Sequence, residues 1–430
     1  MSTTTNQRET IEALDERFQE RRRQVPVLAK RADAEGISAI RAKEDLVPLL
    51  FPHTTYKSYP ETLVSKGRWA QLNRWLDSLS THRVDVDVTG VETVDDWIER
   101  LESAGHLVTS SSGTSGKASF LNKTRRDRET SLRNMLDGLS ELGVVPARTW
   151  HVIPVGPDTG VSAHQATRDL ILDAYARPDS IPIPTAEVRK DHYSYLSRVA
   201  VIRKAMADGT ANPDDVAAIE ADGAKRQRQT EERLRHFAGH ILKHRHERIF
   251  FNSMFAPLFR LCEILEESGA TAGDLTGENA LMTGGGLKGN TLPPDYQERI
   301  FRMLNISPSR FYHYYSMQEL NLRAPKCAEG RYHVPTGLTL FVLDKDGETL
   351  ASASDGEVEG RAAFFDATVD GRWGGTITGD RIRVDLRGCP CGRGGESIHP
   401  DIVRYSDLRD DDKIACAGTI DAYVRGFVAE

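Results

Sequence analysis

The sequence predicts an α/β protein with a helical N-terminal region and a β-rich part towards its C-terminus. Three observations carry that prediction. A strand, loop, helix and strand follow one another over residues 106–155, a charge-rich helix-forming stretch occupies 186–248, and strand texture takes over after residue 330. At 430 residues the chain can bury a large core, as one multi-layer unit or as two domains.

Composition narrows the class of partner. Hydrophobic residues at 39% and charged residues at 28% describe an ordinary soluble globular chain. The net charge of −7, from 56 basic and 63 acidic residues, argues against nucleic acid as the main partner. There is no apolar run of membrane-spanning length, and the polar start MSTTTNQRET is not a signal peptide, so a cytoplasmic protein with no membrane partner is expected. Five unevenly spread cysteines do not make a disulfide framework in that compartment.

The elements read in order. Ile11, Leu14 and Phe18 share one face of a charged helix over residues 7–25, and helical texture continues to about residue 105, broken by a loop from Pro52 to Pro60. A short apolar strand then enters His106–Thr124, HLVTSSSGTSGKASFLNKT. Leu132, Met135, Leu136, Leu139 and Leu142 mark the face of the next helix, and TWHVIPV is a strand. Residues 186–248, with a turn at GTANPDD, read as a helical lid or insertion, or as a plain solvated helical face. RIFFNSMFAPLFRLCEIL is strand then helix; LTLFVLD, AAFFDATVD and TITGDRIRVDL are strands of the β-rich part.

Four segments carry candidate chemistry. In the loop, Gly113 and Gly116 free the backbone N–H groups to converge, Ser111, Ser112, Thr114 and Ser115 add hydroxyl donors, and Lys117 adds a point charge. That set suits a polyphosphate, and a flexible serine-glycine linker is the other reading. It is not a Walker A loop, because two residues rather than four separate its glycines. LMTGGGLKG ends a strand on Gly284, Gly285 and Gly286, bare backbone on which an adenine could lie, or simply a tight turn. FYHYYSMQELN offers Tyr315 for stacking on a purine and Glu319 for Mg²⁺; a buried aromatic strand before a helix start is the alternative. In ITGDRIRVD, Asp380 could accept both ribose hydroxyls or be an ordinary turn aspartate.

Cysteine spacing adds a fifth feature. Cys327 and His333 form a Cys-x5-His, and Cys389 and Cys391 form CPC. Three thiolates and an imidazole suit tetrahedral zinc, although four residues that merely pack would look the same.

With these motifs in this order, the chain resembles the acyl-adenylate-forming superfamily over roughly residues 100–420. The resemblance implies a large adenylate-forming domain of layered α/β sheets with a β-rich subdomain. It implies ATP-dependent activation of a carboxylic acid to an acyl-adenylate, with acyl transfer to a thiol or amine such as coenzyme A, a carrier protein or another acceptor protein. Ser111, Ser112, Gly113, Thr114, Ser115, Gly116 and Lys117 would then hold phosphates, and Gly284 to Gly286, Tyr315 and Ser316 would frame the adenine. Glu319 would hold Mg²⁺, Asp380 and Arg409 the ribose, and Asp411 would be the pivot of a hinge. Ser316 stands where the family has glycine, and Gln318 where it often has threonine.

SSGTSG with TGGGLKG is similar to the bacterial acyl-protein synthetase branch, whereas CPCGR and RDDDKIACAG are similar to the phenylacetate–CoA ligase branch. The latter branch implies a structural zinc on Cys327, His333, Cys389 and Cys391. Ala417 replaces an arginine there. Only 12 residues follow Gly418, so the lysine of the family's small C-terminal domain is expected to be missing or supplied by a partner. The organisation read this way is a helical region over 1–105, an adenylation core over 106–405 and a hinge with a C-terminal stub over 406–430. His151, Asn252, Ser253 and Phe255 are candidates for the acid pocket. Cys416 could carry an acyl group or be a packed hinge-strand cysteine, and Cys262 reads as helix core. A non-catalytic nucleotide- or acyl-binding subunit is the rival function.

Overall fold

A computed structural model describes residues 10–110, 117–156, 160–184, 191–287, 290–408, 412 and 414–429. The chain forms two compact units: residues 1–131 with 317–430, and residues 132–316. The predicted core of 106–405 is thus shared between them, and the first division falls within the helix Arg125–Glu141.

The first unit is built on a seven-stranded sheet. Leu338–Leu343, Glu357–Asp366 and Gly375–Asp385 form an antiparallel meander, as the strand texture predicts. Phe51–Pro52 joins Gly375–Asp385 in parallel, so part of the predicted Pro52–Pro60 loop is a strand leading into the 3₁₀ helix His53–Lys57. The N-terminal region is helical, and Leu14 and Phe18 of the helix Ile11–Gln24 are fully buried. Its neighbours carry an aromatic cluster in which Tyr59 lies 5.1 Å from Trp75 and 5.2 Å from Phe120, with Trp97 5.2 Å from Phe120.

Two expectations need correcting in this unit. The strand before the serine-glycine loop is Thr109–Ser110, and it pairs antiparallel with Phe120–Leu121 after the loop. The loop therefore tops a hairpin rather than joining a strand directly to a helix. Cys416 is also in no hinge strand: it lies in a turn before the helix Ala417–Ala429, whose Ile420, Val424 and Val428 are buried in this unit.

In the second unit, His151–Pro154, Ile249–Asn252, Ala280–Gly284 and Phe311–Tyr315 form a parallel array in that order. Apolar side chains cover both faces. Ile153, Phe251 and Leu281 meet the helices Phe255–Glu267 and Tyr296–Leu304; Val152, Phe250, Met282 and Tyr312 meet Met135, Leu139, Ile171 and Tyr175. Burial on both faces explains why these strands read as continuous apolar runs rather than alternating ones. The predicted insertion is two helices, His192–Ala207 and Pro213–Lys243. The second is more than a solvated face: its C-terminal part sends Leu234, Phe237, Ala238 and Ile241 into the core.

No helix among the described residues is long and apolar enough to cross a membrane.

Candidate functional site

In the first unit, the TGD motif is a bulge. Arg361 stands opposite Arg381 and Ala363 opposite Ile377, so Thr378, Gly379 and Asp380 together face the single residue Ala362. Thr378 Oγ1 donates to Ala362 O at 2.8 Å and accepts from Asp380 N at 3.0 Å, while Asp380 pairs in register with Arg404 of the neighbouring strand. Gly379 keeps its bare Cα because a Cβ would stand 3.0 Å from Asp412 Oδ2 and 3.3 Å from His53 Cε1. Buried Arg361 closes the arrangement, donating to Thr378 O at 2.9 Å and to Asp412 Oδ1 at 2.8 Å.

His53 is the centre of this group. Burial lowers its pKa, while the charges of Glu319, Asp412 and Asp380 pull it up and Lys57 pushes it down. Its Nδ1 is buried without a partner among the described residues. Lys57 senses Glu319 too, although burial sets the net downward shift of its pKa. Three carboxylates thus act on one imidazole, and Arg361 and Arg404 already face two of them, Asp412 at 2.8 Å and Asp380 at 3.8 Å. The sequence reading brought Glu319 and Asp380 here and missed His53 and Lys57, which sit between prolines with no periodicity to mark them.

A buried network fixes Glu319. Arg372, almost fully buried, donates to Glu319 O at 2.5 Å and to Asn122 O at 3.3 Å. Two residues on, Asn321 Nδ2 donates to Asp127 Oδ1 at 2.6 Å. Gln318 Nε2 donates to Ser110 O at 2.9 Å, tying this motif to the root of the serine-glycine loop. The other side of that loop is held by Tyr59, whose hydroxyl donates to Ala118 O at 2.8 Å. The Tyr59 carbonyl accepts from Lys117 Nζ, which also lies 4.3 Å from the centre of the Tyr59 ring. Lys117 therefore packs on Tyr59. Ser111, Ser112, Gly113, Thr114, Ser115 and Gly116 lie outside the described residues, as do Arg409 and Asp411.

In the second unit the glycine run has three different jobs. A Cβ on Gly284 would be 2.4 Å from the Tyr314 hydroxyl, so that ring already covers its bare face. Gly285 has φ +74°, a left-handed conformation that favours glycine, and Gly286 faces open space. These residues share the carboxyl end of the parallel array with Tyr315, Ser316, Asn252 and Ser253, the end at which open α/β sheets take ligands. Ser253 Oγ and Thr283 Oγ1 are buried there without partners among the described residues. Phe255 is buried among Tyr296, Phe311 and His313, a packing position.

His151 does not join them. It is the first residue of its strand and pairs in register with Ile249, whereas Asn252 ends the neighbouring strand. The two are a strand length apart, about 10 Å at ~3.3 Å per residue.

Cys327, His333, Cys389 and Cys391 come together as the spacing suggested, with all four ligand atoms within 4.8 Å of one another. Cys327 Sγ is 3.7 Å from Cys389 Sγ, and Cys391 Sγ is 3.4 Å from His333 Nε2. Ligands on tetrahedral zinc at about 2.3 Å (sulfur) and 2.05 Å (nitrogen) stand roughly 3.8 and 3.5 Å apart, so the donor set fits zinc. Two matching turns present the sulfurs. Gly330 (φ +76°) and Gly392 (φ +84°) each donate to the carbonyl of the cysteine three residues earlier at 3.0 Å. His333 comes from a strand paired with Ser397, so the cluster links separate pieces of the sheet.

The remaining thiols are packed. Cys416 is buried in the turn before the last helix and burial pushes its pKa up, as it does for Cys262 within Phe255–Glu267.

This architecture is the fold of the adenylate-forming acyl ligases. The chain is similar to 2-hydroxyisobutyryl-CoA ligase in complex with 2-HIB-AMP and CoA, with a TM-score of 0.51 and 13% identity over 92% of this chain and 67% of that one. Weaker likenesses include ATP-bound MatB from Rhodopseudomonas palustris (TM-score 0.39, 13% identity, 69% of this chain and 47% of that one). Another is fatty acyl-adenylate ligase from L. pneumophila in complex with acyl adenylate and pyrophosphate (TM-score 0.37, 10% identity, 89% and 70%). This chain thus spans about two thirds of the first protein's length and about half of the second's. No family model and no curated protein matches the sequence.

Proposed function

We propose that the protein is an adenylating ligase that activates a carboxylic acid with ATP and passes the acyl group to an external thiol or amine. The observation that carries this reading is the convergence of Glu319 and Asp380 on His53, in a chain whose fold is that of a ligase that binds an acyl-AMP. A carboxylate oxygen of the acid attacks the α-phosphorus, the bond to the β-phosphate oxygen breaks, and pyrophosphate leaves. Asp380 accepts the ribose hydroxyls from its bulge. Tyr315 and the glycines at 284–286 frame the adenine, and Ser253 and Thr283 offer hydroxyls to the acid. Glu319, held through its own carbonyl by Arg372, is the residue for Mg²⁺, which when bound neutralises the phosphates. The loop hydroxyls and Lys117 hold the phosphates, which requires Lys117 to leave Tyr59. Coenzyme A or a carrier-protein thiol fits the acceptor role better than Cys416 or Cys262, since both cysteines are buried and resist ionisation.

Pyrophosphate exchange into ATP across a panel of fatty, aryl and amino acids tests the reading. Exchange with one class of acid is expected and would name the substrate. Absence of exchange with every acid, alone or with cellular partners, would favour a non-catalytic nucleotide-binding subunit instead.

Cys327, His333, Cys389 and Cys391 are proposed to hold a structural zinc outside the reaction. Protein purified without chelator should contain about one zinc per chain, and stripping the metal should lower Tm by at least about 5 °C. Metal-free protein with an unchanged melting curve would end that assignment.

A further inference from the structure

We propose a second metal site, for a divalent ion of the zinc, cobalt or nickel type, formed by His151, His244 and Glu247 at the amino-end rim of the parallel array. The three ligand atoms lie within 4.8 Å of one another. Glu247 Oε1 is 2.9 Å from His244 Nδ1, and Glu247 Oε2 is 3.3 Å from His151 Nε2. Imidazole and carboxylate donors on one tetrahedral ion, at about 2.0–2.1 Å each, stand roughly 3.3 Å apart.

His151 supplies the independent evidence for a ligand. It is fully buried, its Nδ1 has no hydrogen-bond partner among the described residues, and its Nε2 meets only Glu247 Oε2, at 3.3 Å. A buried imidazole so incompletely paired costs free energy that an ion would recover. Its ring lies 4.4 Å from that of His244, centre to centre, so both imidazoles address the same space.

The charge at the site is already in place. The Glu247 carboxylate faces His244 through Oε1 and accepts from Arg177 Nη1 on Oε2. Arg177 does not depend on Glu247, because its fork is already set on Asp179 at 2.6 and 3.0 Å. Two neutral imidazoles and a carboxylate select borderline ions over Mg²⁺ or Ca²⁺. The side chains of His244 (21% exposed) and Glu247 (41% exposed) reach solvent, which provides an entry path and room for a bound water. The ion would clip the segment after the Pro213–Lys243 helix to the first strand, at the end of the array opposite Gly284 and Gly285.

The test is Co²⁺ titration of the zinc-loaded full chain in excess Mg²⁺. One equivalent should bind with a weak visible d–d spectrum and no thiolate charge-transfer band, and His244→Ala and Glu247→Gln should each weaken it by at least about tenfold. Both variants alter partly exposed side chains, and circular dichroism checks their folding. No added equivalent, or one that persists in both variants, overturns the proposal. A thiolate band would report the cysteine cluster separately, so failure there cannot be mistaken for failure here.

Discussion

Asp127→Asn is expected to cost about 3–5 kcal/mol of folding stability at neutral pH, measured by urea denaturation. The Asp127 carboxylate is fully buried and accepts on both oxygens. Thr124 N and Gly371 N donate to Oδ2 at 2.8 Å each, and Asn321 Nδ2 and Asp370 N donate to Oδ1 at 2.6 and 2.7 Å. Asparagine would turn an NH₂ group towards donors it cannot accept from, and it would leave the nearby Arg372 guanidinium without its counter-charge. Burial pushes the Asp127 pKa up, but Arg372, Asn321 and the backbone donors outweigh it and hold the group below the usual range. A carboxyl depressed in the folded state adds stability above its unfolded pKa, near 3.9, and loses it as pH falls through the lower folded value. Wild-type stability should therefore fall below about pH 4, while the variant's curve stays flatter there. A variant within 1 kcal/mol of wild type at pH 7 would refute this account.

Glu319→Gln is expected to slow pyrophosphate exchange by about a hundredfold while leaving the urea midpoint unchanged. Its side chain is only partly buried, and its backbone carbonyl, not its carboxylate, carries the Arg372 hydrogen bond. The substitution removes one negative charge from the group around His53, so raised Mg²⁺ should restore little. If Glu319 only balances His53 and Lys57, exchange would survive and the change would instead appear as a His53 titration moved to lower pH, since the Glu319 charge raises that pKa. Exchange within about threefold of wild type would remove Glu319 from the metal role.

The legible parts of this chain were those written in contiguous residues. The aromatic strand at 311–315, the tight turn at the glycine run and the strands after residue 330 follow from local backbone preference. Cys327 with His333, and Cys389 with Cys391, each showed half of the cluster. The serine-glycine loop was recognisable as a motif, yet its hairpin pairing was not, because antiparallel partners ten residues apart carry no spacing signal. Asp127 lies in the first turn of the helix Arg125–Glu141, where no local pattern singles it out. Its partners Asn321 and Gly371 lie 194 and 244 residues away.

By itself the sequence determined the main helices and strands, the order of the nucleotide-type motifs and the donor types of the cysteine cluster. Tertiary structure alone decided that His53 stands among Glu319, Asp380 and Asp412, and that Arg372 holds the Glu319 carbonyl while facing Asp127. It also decided that His151 belongs at the far rim of the array, beside His244 and Glu247. The reason is range. Backbone conformation is set by neighbours a few residues away, whereas the meeting of side chains depends on register and topology that only the packed sheet supplies.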